Sequence, residues 1–146
     1  IFDADLEYEA DDLARVAAVT TPRDTVAVFG SRTLGGRKIY EYAENYWGVQ
    51  FLTWLANRSF GGELTDIAVG LKLARLDVVR SMDLSERDFD LDFELPCALL
   101  KRGYEIKEIP VAYHPRTAAE GKGLVGIHAL RTGLRWLWIL LKVKLR

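Results

Sequence analysis

Hydrophobic and polar residues follow one another along the chain with periods that predict alternating helices and strands. The segment 11–19 carries apolar residues at helical spacing after a group of acids that suits a helix N-terminus. The segment 25–29, in which residues 26–29 are all apolar, is typical of a buried strand, and we expect Gly30 to end it. Residues 1–2 are apolar and lead directly into acidic residues, so we interpret them as the end of another strand. The order strand, helix, strand predicts an α/β fold.

The same reasoning predicts the remaining elements. They are a helix over 39–57, a short apolar segment over 65–74, a helical turn over 77–82, a helix over 93–102 and a last helix over 124–145. Pro96 should lie near the first turn of its helix or kink it, since proline lacks a backbone N–H. A strand over 104–113 changes the phase of its apolar positions near Pro110, which predicts a bulge or an edge position.

Composition indicates a folded domain. The chain has 146 residues, of which 49% are hydrophobic and 28% charged, and this balance excludes disordered and low-complexity classes. Its single methionine is Met82, and the chain begins at Ile1, so we interpret it as a piece of a longer protein that begins at a strand end. Cys97 is the one cysteine, which excludes an intrachain disulfide and a zinc site built on cysteines.

Charge is distributed unevenly along the chain. The net charge of −1 argues against a nucleic-acid partner. Residues 1–12 carry six acids and no base, whereas residues 116–146 carry seven bases and one acid. The two ends therefore favour different ligands, a cation at the first and an anion at the second.

The acidic end contains a candidate metal site. Asp3, Asp5 and Glu7 follow a strand end at alternate positions, and a turn there would bring their carboxylates onto one ion. Hard oxygen ligands of this kind suit Mg²⁺ or Mn²⁺ holding a diphosphate. The alternative is a solvated acidic loop.

Basic residues follow two of the predicted strands. Arg32 comes directly after the strand 25–29, while Arg116 and Lys122 lie in the loop after the last strand. Open α/β sheets bind ligands at the carboxyl ends of their strands. Arginine and lysine at such a place would suit phosphate oxygens, and the alternative is that they form surface ion pairs. Asp66 begins a short apolar segment and is either a base or a helix N-cap.

The last predicted helix combines basic and apolar faces. A basic stripe is formed by His128, Arg131, Arg135, Lys142 and Arg146, with Trp138 beside it. The apolar run 136–141 is too short to span a bilayer, which takes about 20 residues. The pattern is typical of a helix on an anionic membrane surface, or equally of a helix packed on its own domain.

The order of several motifs resembles glycosyltransferase family 2, and within it the dolichyl- or polyprenyl-phosphate sugar transferases. These motifs are Asp-Ala-Asp-Leu-Glu-Tyr at 3–8, Val-Phe-Gly-Ser-Arg at 28–32, Leu-Thr-Asp at 64–66, Gly-Leu-Lys-Leu at 70–73, Phe-Glu-Leu at 93–95, the stretch 102–113, Arg116, and Glu-Gly-Lys at 120–122. The resemblance covers essentially the whole chain. Two positions depart from the pattern, because Gly48 is followed by Val49 rather than asparagine, and Gly123 replaces a second lysine.

The resemblance implies a partial GT-A fold with a mixed sheet and a C-terminal amphipathic helix. Residues 1–123 would form the C-terminal portion of the catalytic domain, and 124–146 a membrane-surface helix. The implied enzyme moves a sugar, with inversion, from a nucleotide diphosphate to a polyprenyl or dolichyl phosphate. It would use Mg²⁺ or Mn²⁺ at the cytoplasmic face of a membrane, peripherally or anchored by segments outside this chain.

The resemblance also implies roles for individual residues. Asp3 and Asp5, with Glu7 as a possible third ligand, match the metal-binding motif. Phosphate-binding positions are matched by Arg32, Arg116 and Lys122, and Asp66 matches an acid that would act as base. The membrane would be contacted by Arg131, Arg135, Trp138 and Lys142. Two alternatives stay open at this point. One is a family member acting on a cell-wall or polysaccharide acceptor. The other is an inactive fragment that only binds a membrane or a partner, because the family's N-terminal half is not in this chain.

Overall fold

The computed structural model describes residues 1–3, 7–19, 25–34, 43–116 and 127–146. Helices and strands alternate along them, which confirms the predicted α/β class. The elements are α1 (Ala10–Val19), β1 (Ala27–Ser31), α2 (Ala43–Phe60), β2 (Lys72–Ala74), α3 (Leu76–Arg80), α4 (Asp88–Lys101), β3 (Ile106–Pro110) and α5 (Ile127–Leu145).

The sheet is small and mixed. Its strand order is β2-β1-β3, with β1 antiparallel to β2 and parallel to β3. All five residues of β1 are buried, which explains why apolar residues follow one another in it without alternation up to Phe29. The first residues extend the β2 side, because Phe2 forms an antiparallel bridge with Leu71 and the backbone N–H of Asp3 donates to the Gly70 carbonyl at 3.0 Å. The interpretation of residues 1–2 as a strand end is therefore confirmed.

The strand β1 continues two residues beyond its predicted end. Gly30 and Ser31 pair with Ile109 and Pro110 of β3. A Cβ atom on Gly30 would lie 2.8 Å from Cγ1 of Val111, so glycine here permits close packing of the chain instead of ending the strand. Within the described part of the chain β3 lies at the sheet edge, as the phase change near Pro110 predicted.

Helix α4 begins at Asp88, five residues before the predicted start at Phe93. Pro96 consequently lies inside the helix, so of the two predicted alternatives its place near the first turn is wrong, and a kink stays a prediction. Burial of one helix face, including Phe93, Cys97 and Leu100, outweighs the hydrogen bond that proline removes. The helix ends as predicted, with Gly103 at a φ of +76° and its N–H donating to the Leu100 carbonyl at 2.9 Å.

Helix α5 completes the core by packing on α4 and α2. The Trp136 indole stacks on Phe93 with ring centroids 5.0 Å apart and an interplanar angle of 8°, and on Phe89 at 5.3 Å. Ile139, Leu140 and Val143 on the same helix are also buried. These contacts hold α5 against the rest of the domain.

Candidate functional site

Charged and aromatic side chains converge where β1 and β3 end. We call this group the strand-end cluster, and it consists of Asp3, Glu7, Tyr8, Arg32, Asp66, Tyr113 and Arg116. The topology produces the convergence, because parallel strands end at the same edge of a sheet. Arg32 follows β1 directly, and the segment 111–116 follows β3.

Arg32 and Asp66 form a buried bidentate ion pair. The Arg32 Nε lies 2.7 Å from Asp66 Oδ2, and Nη2 lies 2.8 Å from Oδ1. The backbone N–H of Arg32 donates to the same Oδ2 at 3.1 Å. Burial opposes ionisation of the fully buried Asp66, but the charge and hydrogen bonds of Arg32 hold the pKa of this carboxyl below its ordinary value. The pair is therefore ionised at neutral pH.

The turn that presents Asp66 is held by Glu108 of β3. The Glu108 carboxylate accepts hydrogen bonds from the backbone N–H groups of Thr65, at 2.7 Å, and Asp66, at 3.0 Å. It also accepts the Thr65 hydroxyl at 2.8 Å, and Gln50 donates to the Thr65 carbonyl at 3.1 Å. Burial raises the pKa of Glu108 above its ordinary value. Glu108 was not among the predicted site residues, although a carboxylate within a partly buried strand is a signal that could have indicated it.

Glu7 contacts the segment after β3 from the other side of the cluster. Tyr113 donates its hydroxyl to Glu7 Oε2 at 2.9 Å, and the backbone N–H of Arg116 donates to Oε1 at 2.9 Å. The Arg116 Nε lies 3.5 Å from the same Oε1. Glu7 and Arg116 were predicted as parts of separate metal and phosphate sites, and the structure brings them into contact.

Two tyrosines fill the space between these ion pairs. The Arg32 guanidinium carbon lies 5.0 Å from the centroid of the Tyr113 ring, and the rings of Tyr8 and Tyr113 have centroids 5.3 Å apart. Burial raises the pKa of Tyr8 to about 12 and also raises the pKa of Tyr113. Both hydroxyls are therefore protonated at neutral pH. Neither tyrosine was predicted as a site residue, since aromatic residues beside strands ordinarily belong to the core.

The Asp3 carboxylate packs against Gly70. A Cβ atom at position 70 would lie 2.1 Å from Asp3 Oδ2, so glycine is required for this placement. The backbone N–H of Gly70 donates to the Tyr8 hydroxyl at 2.9 Å, which links Asp3 to the cluster. Asp5 and Lys122 lie outside the described residues. Among the residues that are described, no three acids, histidines or cysteines are arranged to hold a metal ion.

The basic stripe of α5, together with Arg146 directly after the helix, makes ion pairs within the domain. Arg135 pairs with Asp90 at 2.5 Å, Lys142 with Glu86 at 2.5 Å, and Arg146 with Glu94 at 2.8 Å, as three bridges to α4 and the loop before it. Arg135 and Lys142, which were predicted to contact a membrane, are thus engaged with carboxylates of the same chain. Trp138 is 64% exposed, and Arg131 is exposed as well.

Beside that stripe, α5 exposes an apolar one. At 100° per residue its members fall within about 80° of the helix circumference. They are Ile127, Leu130, Leu134, Trp138, Leu141 and Leu145, with exposed fractions of 49 to 84%. On α2, Trp47, Phe51 and Trp54 are exposed at the same kind of spacing. Within the described ranges, every helix is too short or too polar to cross a membrane.

Comparisons with known proteins identify two relatives. One is an undecaprenyl-phosphate mannosyltransferase from Micrococcus luteus, 27% identical over 153 aligned positions that cover 98% of this chain and 62% of the relative. The other is a low-salt glycan biosynthesis hexosyltransferase from Haloferax volcanii, 27% identical over 120 positions that cover 78% of this chain and 28% of the relative. The chain thus spans less than two thirds of the length of either protein.

No family model matches the chain. No solved structure matches it either. The two relatives agree with each other in chemistry, because both are named as sugar transferases. The sequence is therefore similar, over nearly its whole length, to a polyprenyl-phosphate sugar transferase, which confirms the resemblance to glycosyltransferase family 2 that its motifs indicated.

Proposed function

We propose that this chain is the metal-binding and acceptor-side part of an inverting glycosyltransferase with a GT-A fold. The enzyme would transfer a hexose from a nucleotide diphosphate to a polyprenyl phosphate. One observation carries the proposal: the strand-end cluster gathers Arg32, Arg116 and several carboxylates at the sheet edge where α/β folds bind ligands. A reaction between a diphosphate and a phosphate monoester needs both kinds of charge in one place.

The metal would be held by Asp3 and Asp5. The chemistry of these donors fits Mg²⁺ or Mn²⁺, and the close approach of Gly70 gives the Asp3 carboxylate a defined position. When bound, the ion would offset the negative charge that develops on the leaving diphosphate. Asp3 therefore serves as the fixed carboxylate of the proposed site.

The arginines would hold phosphate groups. Asp66 keeps the Arg32 guanidinium in one plane and orientation, which suits recognition of phosphate oxygens. Arg116 and Lys122 would bind the acceptor phosphate from the loop after β3. A phosphate acceptor is already anionic, so it needs little help from a general base. The bonds from Arg32 and the lowered pKa of Asp66 favour an orienting role for this acid, while its assignment as base stays a prediction.

The membrane would be contacted by the exposed apolar residues of α5 and α2. Trp138 and Trp54 lie on such surfaces, and tryptophan favours the boundary between lipid and water. Arg131 lies beside the apolar stripe of α5 and would face anionic headgroups. Arg135 and Lys142 would instead hold α5 on the domain. We place the protein at the cytoplasmic face of the membrane, where nucleotide sugars are made available.

Transfer is tested with the full-length protein, a panel of nucleotide diphosphate hexoses, Mg²⁺ or Mn²⁺, and undecaprenyl phosphate. We expect a hexosyl lipid phosphate that disappears with EDTA and falls at least 100-fold in Asp5→Asn. Asp77→Asn, at an exposed acid on α3, is the control and should retain full activity. Full activity of Asp5→Asn would refute the metal assignment, and transfer to a saccharide but not to the lipid would favour the glycan-acceptor alternative.

Membrane contact is tested by sedimentation with anionic liposomes. We expect Trp54→Ala combined with Trp138→Ala to weaken binding, and Leu76→Ala, at an equally exposed residue of α3, to leave it unchanged. Unchanged binding of the double variant would refute this surface. Loss of binding in Lys142→Ala alone would favour the basic stripe instead.

A further inference from the structure

Glu7 is joined to the segment after β3 at three places. Its two carboxylate oxygens accept the Tyr113 hydroxyl and the Arg116 backbone N–H, each at 2.9 Å. Its own carbonyl accepts the backbone N–H of His114 at 2.8 Å. The Glu7 side chain is only 10% exposed, so these bonds are sheltered from water. Glu7 therefore holds three residues of the four-residue span 113–116, which lies more than 100 positions later in the sequence.

These bonds suit an anchor better than a metal ligand. Both carboxylate oxygens already accept hydrogen bonds, so a divalent cation would have to share these oxygens with the donors or displace them. The Arg116 Nε lies 3.5 Å from Glu7 Oε1, so an ion bound there would also meet a guanidinium charge. A backbone N–H cannot swing away as a side chain can, so the loop itself would have to move.

We infer that Glu7 is a positioning residue for Arg116 and not one of the metal ligands, and that the Tyr113 hydroxyl fixes the Glu7 rotamer. Glu7 holds the backbone of Arg116 in place, and this sets where the guanidinium meets a phosphate. Tyr113 couples the arrangement to Arg32, which lies over its ring at 5.0 Å. The inference rests on the proposed function for the role of Arg116 as a phosphate ligand.

The test compares four variants of the full-length protein: Glu7→Gln, Tyr113→Phe, Asp5→Asn as a metal-site reference, and Glu9→Gln as the control. Glu9 is an exposed acid two positions from Glu7, and it pairs with His114 at the surface. Three measurements are made: the affinity for Mn²⁺ by electron paramagnetic resonance, the affinity for inorganic phosphate by calorimetry, and the transfer kinetics with undecaprenyl phosphate, which give kcat and KM. The thermal midpoint of each variant shows that it is folded.

For Glu7→Gln we expect the Mn²⁺ affinity to stay within about twofold of wild type. The phosphate affinity should fall roughly tenfold and the acceptor KM should rise by a similar factor, which is the usual effect of losing one charge-assisted hydrogen bond. Tyr113→Phe removes the hydroxyl but keeps the ring that lies against Arg32. We therefore expect the phosphate affinity to fall and the acceptor KM to rise by about threefold, from the loss of the hydroxyl alone. Glu9→Gln should match wild type in all three measurements.

A loss of Mn²⁺ affinity in Glu7→Gln as large as that in Asp5→Asn would overturn the inference. If Glu7→Gln does not fold, Tyr113→Phe decides, and an unchanged phosphate affinity in that variant would overturn the role of its hydroxyl. If wild type binds no phosphate, the inference fails together with the assignment of Arg116. If wild type binds phosphate and Mn²⁺ but transfers no sugar, the proposed function fails and the two binding measurements still test Glu7.

Discussion

Arg32 and Asp66 lie 34 positions apart in the sequence and form an ion pair with two hydrogen bonds between their side chains and a third from the Arg32 backbone. The Asp66 side chain is fully buried and that of Arg32 is 8% exposed. Because each charge lacks water, each depends on the other for compensation. The pair therefore fixes the end of β1 against the turn at 65–66.

Asp66→Asn should destabilise the domain strongly. The change leaves the buried guanidinium of Arg32 without its counter-charge, and removal of one partner of such a pair costs about 3–5 kcal/mol of unfolding free energy. Urea unfolding followed by circular dichroism measures the loss. The double variant Arg32→Met with Asp66→Leu should be less destabilised than Asp66→Asn, since it leaves no uncompensated charge.

An exposed pair of similar geometry provides the control for that experiment. Arg75 and Asp77 are joined at 2.6 Å, but both side chains are about half exposed or more. Asp77→Asn should change the unfolding free energy by less than about 1 kcal/mol, because solvent screens surface pairs. Equal losses in Asp66→Asn and Asp77→Asn would show that burial does not set the strength of the Arg32–Asp66 pair.

The contribution of Asp66 should depend on pH with a definite sign. The pKa of this carboxyl in the folded protein lies below its ordinary value of 3.8, so the folded state binds fewer protons than the unfolded chain in that range. The stabilisation is therefore complete above pH 3.8 and is lost as the pH falls through the folded pKa. The difference in unfolding free energy between wild type and Asp66→Asn should be constant from neutral pH to about pH 5 and shrink in stronger acid. A difference that shrinks between pH 7 and pH 5 would mean that burial raises this pKa.

Gly70→Ala should displace the Asp3 carboxylate. The added methyl group would lie 2.1 Å from Asp3 Oδ2, well inside contact distance, so that side chain must rotate away. We expect Mn²⁺ affinity in the full-length protein to fall at least tenfold, a loss of about 1.4 kcal/mol. Gly133→Ala is the matched control, since a Cβ there has no neighbour within 4 Å, and alanine should stabilise α5 by about 0.5–1 kcal/mol. An unchanged Mn²⁺ affinity in Gly70→Ala would remove Asp3 from the proposed metal site.

Two tryptophans of α5 should respond differently to the same substitution. Trp136→Ala removes a buried indole stacked on Phe89 and Phe93 and should cost about 3–5 kcal/mol of unfolding free energy. Trp138→Ala removes an indole that is 64% exposed, and the unfolding free energy should change by less than about 0.5 kcal/mol. Urea unfolding of both variants measures the contrast. A large loss in Trp138→Ala would mean that this side chain is part of the domain's packing and not of its outer surface.

Local patterns predicted most of the elements. Helix α1 begins one residue before its predicted start and ends at the predicted Val19, because its amphipathic period decides its extent. Helix α4 was the least well predicted, since its first turn at Asp88–Asp90 carries polar residues and is held by contacts with α5. The prediction that Gly30 ends its strand failed for a similar reason, because the close packing of Val111 against the Gly30 backbone is a tertiary contact between residues far apart in the sequence. The predicted start of α2 at Ile39 lies outside the described residues.

The candidate site was predicted as separate pieces. Sequence motifs singled out Arg32, Asp66, Glu7 and Arg116 one at a time, and no local pattern indicates that these four residues pair with one another. Lys142 was assigned to a membrane-contacting stripe from its angle on the helix. That angle does not reveal that Glu86 Oε1 lies 2.5 Å from the Lys142 Nζ. Pairing across such sequence distances is set by the order of strands in the sheet, which periodicity does not encode.

The pairing of Ile1–Asp3 with Gly70–Lys72 and the bonds from Glu7 to Tyr113 and Arg116 impose an order on folding. Contacts between distant parts of a chain form slowly, because closing the long intervening loop costs conformational entropy before the contacts can compensate for that loss. During synthesis the strand-end cluster must wait until residue 116 has left the ribosome, although its first acids are among the earliest residues of this region to emerge. The four-residue span from Tyr113 to Arg116 is thus the last part of the cluster to be synthesised, and until it emerges the bonds from Glu7 to Tyr113, His114 and Arg116 cannot form.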